Sequence, residues 1–335
     1  MKVFAIETSC DETAAAVVEN GRKIISSTVA TQIQEHCLYG GVVPEIASRR
    51  HCESISQVGK ICLKKANLNF SEIDAVAVTF APGLIGSLLV GVSYAKGLSF
   101  ALKKPLIAVH HLRSHIASAY LSNQNLKPPF LALIISGGHS HIVYVKDYCR
   151  FKVVGRTRDD AAGEAFDKVA RALGYPYPGG IQVDLAAKSG NKNAYDFPRP
   201  KVEGSEFDFS FSGLKTAVLN QINNLKQKSL EPNKNDLCAS FQEAVCDMIS
   251  ARIVLAARKF SQTQIVVCGG VCANSAIRAR LKKECEKNNL KLYLPDIALC
   301  GDNAAMVASQ GYYEFLNNNI ADMSLNAFAS LAIDY

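Results

Sequence analysis

The feature that most constrains the fold is an order of secondary-structure elements that occurs twice along the chain. The first copy is predicted as strands 3–8, 13–19 and 22–30, helix 45–66, strand 74–80, a helix ending at 102, strand 106–109 and a helix from 111. The second is predicted as strands 130–136, 139–145 and 151–156, helix 236–259, strand 264–268, helix 274–287, strand 291–294 and a helix from 302. An order of βββαβαβα in both halves predicts an internal duplication, with two α/β lobes and a ligand cleft between them.

The length of 335 residues also favours two lobes over a single core. We expect lobe I over residues 1–125, with the closing helix of about 302–335 packed back near it, and lobe II over 126–301, with an insertion at about 158–235. The N-terminus has no secretory signal and the eleven cysteines form no C-x-x-C pair, which predicts reduced thiols and a cytoplasmic location. The apolar stretch 84–102 contains Lys96 and three glycines, which favours a buried helix and no membrane.

Three of the seven histidines lie in the segment IAVHHLRSHIASAY, residues 107–120. His111 and His115 are four residues apart, so on a helix their rings share one face and can bind one Zn²⁺ or Fe²⁺ ion. In metallopeptidases the first histidine of such a pair is followed by a glutamate base, but here Leu112 follows it. Asp302 begins the equivalent helix of the second copy, so we expect it to face the histidines across the cleft.

Two glycine turns follow apolar strands, at Ser136–Gly138 and at Gly269-Gly270. Glycine turns either permit tight reversals or present backbone N–H groups to an anion, and their occurrence in both copies favours nucleotide phosphate. Asn274 begins the helix after the second turn. Asp167 lies on a predicted helix over 161–172, at a position compatible with contact to a ribose hydroxyl. The chain has no Walker A motif and no G-x-G-x-x-G after a strand.

Ten ordered motifs, spread over residues 6–308, carry a resemblance to a known family. They are IETSCDET (6–13), GGVVPEIASRRH (40–51), APGLIGSLLVG (81–91), HHLRSH (110–115), ISGGHS (135–140), AGEAFDKVA (162–170), YPGG (177–180), FSFSGLKT (209–216), GGVCANSAIR (269–278) and GDNAAMVA (301–308). The chain resembles the bacterial tRNA N6-adenosine threonylcarbamoyltransferases, TsaD or Gcp, formerly described as O-sialoglycoprotein endopeptidases.

The resemblance implies an actin/Hsp70/sugar-kinase-like (ASKHA) fold of two ribonuclease-H-like lobes. It implies an acyltransferase-type enzyme of tRNA processing that moves a threonylcarbamoyl group from threonylcarbamoyl-AMP to the N6 amine of adenosine 37, in tRNAs reading ANN codons. It also implies an inactive paralogous subunit (TsaB-like) and a small P-loop ATPase (TsaE-like) as partners. The alternatives are a metallo-endopeptidase and an ATPase or small-molecule kinase of the same fold.

The resemblance also assigns residues. His111, His115 and Asp302 match metal ligands for one Fe²⁺ per subunit, with Zn²⁺ possible, and Ile134 replaces the tyrosine ligand of archaeal members. Asp11 and Glu12 match acidic residues important for activity. The positions matching substrate-binding residues are Ile134, Ile135, Ser136, Gly137, Gly138, Asp167, Gly180, Asp184 and Asn274. Candidates for contact with the tRNA backbone are Arg49, Arg50, Lys103, Lys104, Arg278, Arg280, Lys282 and Lys283.

Overall fold

The computed structural model describes all 335 residues, which divide into two compact units. Unit 1 comprises residues 1–128, 145–152 and 294–335, and unit 2 comprises residues 129–144 and 153–293. The chain therefore enters unit 2 after the first sheet is complete and returns to unit 1 for its last helix.

Unit 1 contains a five-stranded sheet in the order β3-β2-β1-β4-β5. Strand β1 pairs antiparallel with β2 and parallel with β4, and β4 pairs parallel with β5. The strands are β1 (Lys2–Glu7), β2 (Glu12–Glu19), β3 (Lys23–Thr31), β4 (Ala75–Ala81) and β5 (Leu106–His110). The helices are α1 (Ile33–Cys37), α2 (Pro44–Ala66), α3 (Ile85–Leu102), α4 (His111–Ser122) and α10 (Ala304–Leu316), and two short 3-10 turns lie at Phe70–Glu72 and Ile297–Leu299.

Unit 2 contains a second five-stranded sheet in the order β10-β9-β6-β7-β8. Its strands are β6 (Phe130–Ile135), β7 (Ser140–Asp147), β8 (Arg150–Arg156), β9 (Gln264–Cys268) and β10 (Lys291–Tyr293). Its helices are α5 (Ala162–Ala172), α6 (Gly179–Ala187), α7 (Ser212–Gln227), α8 (Lys234–Lys259) and α9 (Ser275–Lys287), with a 3-10 turn at Gly270–Ala273. Because both sheets connect their strands in the same sequential order, the predicted duplicated α/β fold is confirmed.

Alternation along β1 explains how the sheet of unit 1 is covered on both faces. Phe4 and Ile6 belong to a core cluster that includes residues of α2 and α3, whereas Val3 and Ala5 belong to a second cluster that includes residues of α10. Successive side chains of a strand point to opposite faces, so a strand buried on both sides must be a continuous apolar run. The VFAI stretch meets this requirement, and it brings α10 onto the sheet of unit 1.

Close approach of α10 to the sheet depends on Gly311. A Cβ atom at this position would lie 2.8 Å from the Cβ of Ala77 on β4, too close for two carbon atoms. The N-terminus of the same helix is capped by Asn303, whose side-chain oxygen accepts a hydrogen bond from Met306 N at 3.0 Å. Tight packing and a defined start fix the turn that precedes α10, where Asp302 lies.

Helix α3 is the one helix that is long and apolar enough to cross a membrane, judged only by its length and composition, and 33% of it is buried inside the protein. Core helices of soluble proteins pass the same test, so this is weak evidence for a membrane span. Its Lys96 donates a hydrogen bond to Leu325 O at 3.0 Å, which ties the helix to the segment after α10.

Candidate metal centre and active site

The two candidate histidines lie on one face of α4, which begins directly where β5 ends. The preceding residue, His110, caps the helix because its Nδ1 accepts a hydrogen bond from Leu112 N at 3.2 Å. His111 and His115 follow one turn apart with ring centroids separated by 4.6 Å. Both rings are buried, so the strand-to-helix junction places two imidazoles together in the protein interior.

Asp302 completes the group from the turn before α10. Its Oδ1 lies 3.2 Å from His115 Nε2 and 3.7 Å from His111 Nε2. One potential ligand atom from each of the three residues lies within 4.8 Å of the others. All three residues belong to unit 1, so Asp302 lies beside the histidines within one unit and not across a cleft. The last helix of the second copy packs on the sheet of the first, which places Asp302 beside α4.

The chemistry of this group fits a divalent cation. Neither ring nitrogen of His115 makes a hydrogen bond, although both are buried, and a buried polar atom without a partner is costly. Two imidazoles and one carboxylate form a ligand set typical of Zn²⁺ or Fe²⁺ and leave coordination positions for water or substrate. The residues that the sequence assigned as ligands are therefore brought together, in an arrangement that a metal ion would satisfy.

Glu7, which the sequence did not single out, lies on the opposite side of the His111 ring. Its Oε2 is 3.3 Å from His111 Nδ1 and accepts a hydrogen bond from Thr79 Oγ1 at 2.7 Å. Its Oε1 accepts from Ser9 N at 2.6 Å, and Ser9 Oγ lies 3.1 Å from His111 Nδ1. A carboxylate on the far nitrogen of a metal-binding histidine orients the ring and leaves Nε2 directed to the ion.

The buried charges of this centre interact strongly. Burial lowers the pKa of His111, but the carboxylates of Asp302 and Glu7 outweigh it and raise that pKa to about 9. Burial raises the pKa of Glu7, but the interaction with His111 outweighs it and leaves the pKa of Glu7 lowered. The same two carboxylates that favour a proton on His111 would also favour a metal cation beside it.

Asp11 and Glu12 lie at the start of β2, in the turn that follows β1. Asp11 is only 6% exposed, and its buried Oδ2 makes no hydrogen bond. Burial, and then the charges of Asp302 and Asp11, raise the pKa of Glu12 to about 10. Glu12 therefore retains a proton at neutral pH in the absence of a metal ion, and the turn lies within the electrostatic field of Asp302.

The glycine turn of unit 2 has an exposed surface. Ser136 N donates to His139 O at 2.8 Å and closes the turn after β6. Gly137 and Gly138 are exposed, and a Cβ at either would meet nothing within 4 Å. By contrast, the side chains of Ile134 and Ile135 are fully buried, so these two residues can offer only backbone groups to a ligand.

Two other substrate-binding candidates form hydrogen bonds between helices of unit 2. Asp167 Oδ1 on α5 accepts hydrogen bonds from Gly179 N at 2.8 Å and Gly180 N at 3.2 Å, at the start of α6. Asp184 on α6 accepts from Ser275 N at 3.1 Å and Ser275 Oγ at 2.8 Å, at the start of α9. These carboxylates thus already stabilise helix N-termini, a role that the sequence did not reveal.

Asn274 caps α9, because its Oδ1 accepts a hydrogen bond from Ile277 N at 3.0 Å. Its side-chain amide donates to Gln242 Oε1 at 2.6 Å. A cavity of about 200 Å³ lies beside this cap and is lined by Gln242, Ser275 and Ala276, with other residues of α6 and α8 and the segment between them. The candidates of unit 2 therefore form a connected series from the glycine turn to this cavity.

Several of the basic candidates for tRNA contact already have partners within their own unit. Arg50 forms ion pairs with Glu35 and Glu53, each at 2.7 Å. Arg280 pairs with Asp247 and with Glu243, and Arg278 donates to a backbone carbonyl. Engaged guanidinium groups lose these contacts on binding a phosphate, so the other basic candidates are better placed for that role. They are Arg49, Lys103, Lys104, Lys282 and Lys283.

Comparison with solved structures finds proteins of similar fold. HypF from T. kodakarensis matches with a TM-score of 0.66 at 15% identity, over 97% of this chain and 49% of that one. The (R)-2-hydroxyglutaryl-CoA dehydratase component A of Acidaminococcus fermentans matches with a TM-score of 0.55 at 15% identity, over 95% and 98% of the two chains. At these identities the likeness concerns the fold alone. The molecule is therefore a two-unit α/β protein with a His–His–Asp group in its first unit.

Sequence comparison gives the family. The tRNA N6-adenosine threonylcarbamoyltransferase family, TsaD, matches residues 23–309. The proteins of that name from Clostridium perfringens and Clostridioides difficile are each 49% identical over 331 residues, which is 99% of this chain and 98% of theirs. The chain belongs to the tRNA N6-adenosine threonylcarbamoyltransferase family, so the resemblance seen in the motifs is confirmed.

Proposed function

We propose that this protein transfers the threonylcarbamoyl group from threonylcarbamoyl-AMP to the N6 amine of adenosine 37 in tRNAs that read ANN codons. The observation that carries the proposal is near-half identity over the whole chain to transferases of that name, combined with an assembled His–His–Asp centre. The same observation favours a transferase over the metallo-endopeptidase and kinase alternatives. In addition, Leu112 stands where a metallopeptidase has its glutamate base.

We further propose that His111, His115 and Asp302 hold one Fe²⁺ per chain, or Zn²⁺ in its place. When bound, such an ion supplies Lewis-acid polarisation of an oxygen of the donor and a template for its orientation. Glu7 and Ser9 fix the His111 ring from its Nδ1 side, so that its Nε2 is directed to the ligand-binding face. The burial of both histidines excludes water from this side of the centre.

We propose that the acidic turn, with Asp11 and Glu12, accepts and donates protons during the transfer. The adenine amine is a weak nucleophile that must lose a proton during transfer, whereas AMP is a good leaving group. Asp11 offers a buried carboxylate oxygen without a hydrogen-bond partner, which suits a proton acceptor or an orienting contact to the amine. Glu12 carries a proton at neutral pH in the metal-free protein and can supply a hydrogen bond from it.

The residues of unit 2 are proposed to bind the AMP part of the donor. The exposed Ser136–Gly138 turn is open for contact with a phosphate group through its backbone. The cavity beside Asn274 is lined by Ser275, whose side chain and backbone N–H donate to the Asp184 carboxylate. These contacts would position the donor, which is the main contribution an enzyme makes when its substrate is already activated.

The partners are proposed from the family. They are tRNA, whose target base must leave the anticodon-loop stack to reach the centre, an inactive paralogous subunit (TsaB-like) and a small P-loop ATPase (TsaE-like). Such a tRNA-modifying enzyme would act in the cytoplasm. The chain contains no P-loop, which supports the view that the activated donor is made by another protein.

One pair of experiments tests the function and the metal site separately. Nucleoside analysis of tRNA, incubated with threonine, bicarbonate, ATP and the partner proteins, is expected to show threonylcarbamoyladenosine only when this chain is present. Elemental analysis is expected to find about one Fe or Zn per chain in the wild type and none in a His111→Ala/His115→Ala variant. Modification without this chain would refute the function, and unchanged metal content in the variant would refute the ligand assignment.

A further inference from the structure

A series of hydrogen bonds between buried side chains runs through unit 1. It leads from the loop before α2 to the acidic turn that contains Asp11 and Glu12. Val43 N donates to His36 Nδ1 at 3.3 Å, and His36 Nε2 lies 3.2 Å from Gln32 Oε1. The Gln32 amide nitrogen lies 3.5 Å from His51 Nδ1, and His51 Nε2 lies 2.9 Å from Cys10 O. Both histidines are 0% exposed and Gln32 is 8% exposed, and the two bonds at the ends of the series are partly buried.

The two ends of the series determine the direction of every bond in it. A backbone N–H can only donate and a carbonyl can only accept, so His36 Nδ1 accepts from Val43 and His51 Nε2 donates to Cys10. His36 then donates from Nε2 to the Gln32 oxygen, which leaves the Gln32 amide to donate to His51. Both rings are therefore neutral Nε2–H tautomers, and all four bonds point toward the acidic turn.

Further contacts attach the same series to the turn. Gln32 N donates to Asp11 O at 3.2 Å, so Gln32 contacts the turn through its backbone as well. Thr13 Oγ1 lies 2.7 Å from His51 Nδ1 and is the main donor to its single lone pair, which the Gln32 amide at 3.5 Å shares. His51 and Gln32 thus hold the turn at the backbone carbonyls of Cys10 and Asp11 and at the side chain of Thr13.

The far end of the series lies under an exposed loop. Leu38 is 82% exposed and Tyr39 is 59% exposed, and Gly40 has a left-handed φ of +70° that few other residues adopt. Burying two imidazoles and an amide between a helix and a strand costs desolvation free energy. Apolar side chains would pack there without that cost. The presence of the polar groups indicates a requirement for a defined position of the turn.

We propose that His36, Gln32 and His51 are positioning residues for the transfer reaction, which fix the Cys10–Thr13 turn and couple its position to the Leu38–Val43 loop. The inference rests on the proposed function, because it concerns the role of Asp11 and Glu12 in that reaction. None of the three residues is assigned to bind metal or substrate. Their effect is transmitted through hydrogen bonds to the backbone of the turn.

The test compares His51→Leu, His36→Leu and the double variant with wild type, in single-turnover transfer from preformed threonylcarbamoyl-AMP with the partner proteins present. We expect His51→Leu to lower the rate ~10- to 100-fold, the cost of a small misplacement of catalytic groups. His36→Leu lowers it less, and the double variant is no slower than His51→Leu because both act through one series. Metal affinity stays unchanged, since the proposed ligands lie on α4 and before α10.

Two further variants separate positioning from general loss of stability. Ser26→Ala removes a buried hydrogen bond of 2.9 Å to Cys62 O elsewhere in unit 1 and is expected to transfer at the wild-type rate. His51→Gln keeps a donor toward Cys10 O and is expected to recover most of the rate, which also covers the case in which His51→Leu does not fold.

The outcomes are distinguishable. If wild type transfers normally and the folded His51 variants do so too, the positioning role is overturned and the proposed function stands. Additive losses in the double variant would likewise overturn it, because independent sites give additive effects. If wild type itself gives no transfer, the proposed function fails, and the inference that rests on it fails as well.

Discussion

Glu7→Gln gives the sharpest test of how the metal centre is built. Glu7 is fully buried and places one carboxylate oxygen 3.3 Å from His111 Nδ1. Glutamine keeps the size of the side chain but removes the charge, and its amide cannot accept from both Ser9 N and Thr79 Oγ1 in the present arrangement. One donor is lost or turned away, and the His111 ring loses the contact that orients it.

Loss of such an outer contact typically lowers metal affinity ~10- to 100-fold, which corresponds to ~1.4–2.7 kcal/mol of binding free energy. We expect this decrease in a competition titration of Zn²⁺ or Co²⁺ against a chelator at constant pH. Asp208→Asn is the matched control, because Asp208 is a buried carboxylate of unit 2 that accepts hydrogen bonds from Arg156 N and Arg158 Nε, whereas both histidines belong to unit 1. If Glu7→Gln binds the ion as tightly as the control, Glu7 does not orient His111.

Three further predictions concern the acidic turn, pH and packing. Asp11→Asn is expected to lower single-turnover transfer at least ~10²-fold with metal content intact, and a near-normal rate would make Asp11 structural. In metal-free protein, His111 has a pKa raised from 6.5 to about 9, so its stabilising contribution is complete below 6.5 and is lost as the pH rises through about 9. Urea unfolding in the presence of a chelator should show the free energy of unfolding falling over this pH range, and bound metal should reverse that trend. A free energy of unfolding that does not change with pH in the metal-free protein would contradict the prediction. Gly311→Ala is expected to cost ~1–3 kcal/mol of unfolding free energy by overpacking, whereas Gly97→Ala, where a Cβ meets nothing within 4 Å, should be neutral or stabilising; equal effects would refute the packing argument.

The sequence predicted the duplicated fold because burial on both faces of a strand leaves a pattern that can be read directly. Phe4 and Ile6 on one face and Val3 and Ala5 on the other make β1 a continuous apolar run, and β6 repeats it. The His111–His115 pair was visible for a similar reason, since helical geometry turns a spacing of four into a shared face. Local periodicity was sufficient in each case.

The sequence was less informative where a contact joins distant segments. The order of elements made Asp302 the counterpart of the histidines in the second copy, but it did not show that all three lie within one unit. Glu7 was missed because a single acidic residue at the end of an apolar strand has no spacing that distinguishes it from a strand terminus. Helices α6 and α7 lie in the insertion at about 158–235, where only the helix over 161–172 was predicted. The glycine at 179 reflects a contact between distant segments, because a Cβ there would lie 2.4 Å from the Cβ of Ala170.

The centre is best understood through its balance of charge. Glu7 and Asp302 together place two buried negative charges around two imidazoles, and a divalent cation neutralises both, whereas a single proton on His111 neutralises one. Asp302 is also, after burial, the largest cause of the raised pKa of Glu12. A cation held by the proposed ligands would offset the charge of Asp302 and so lower the pKa of Glu12, but only in part, because burial is the largest cause of the raised pKa.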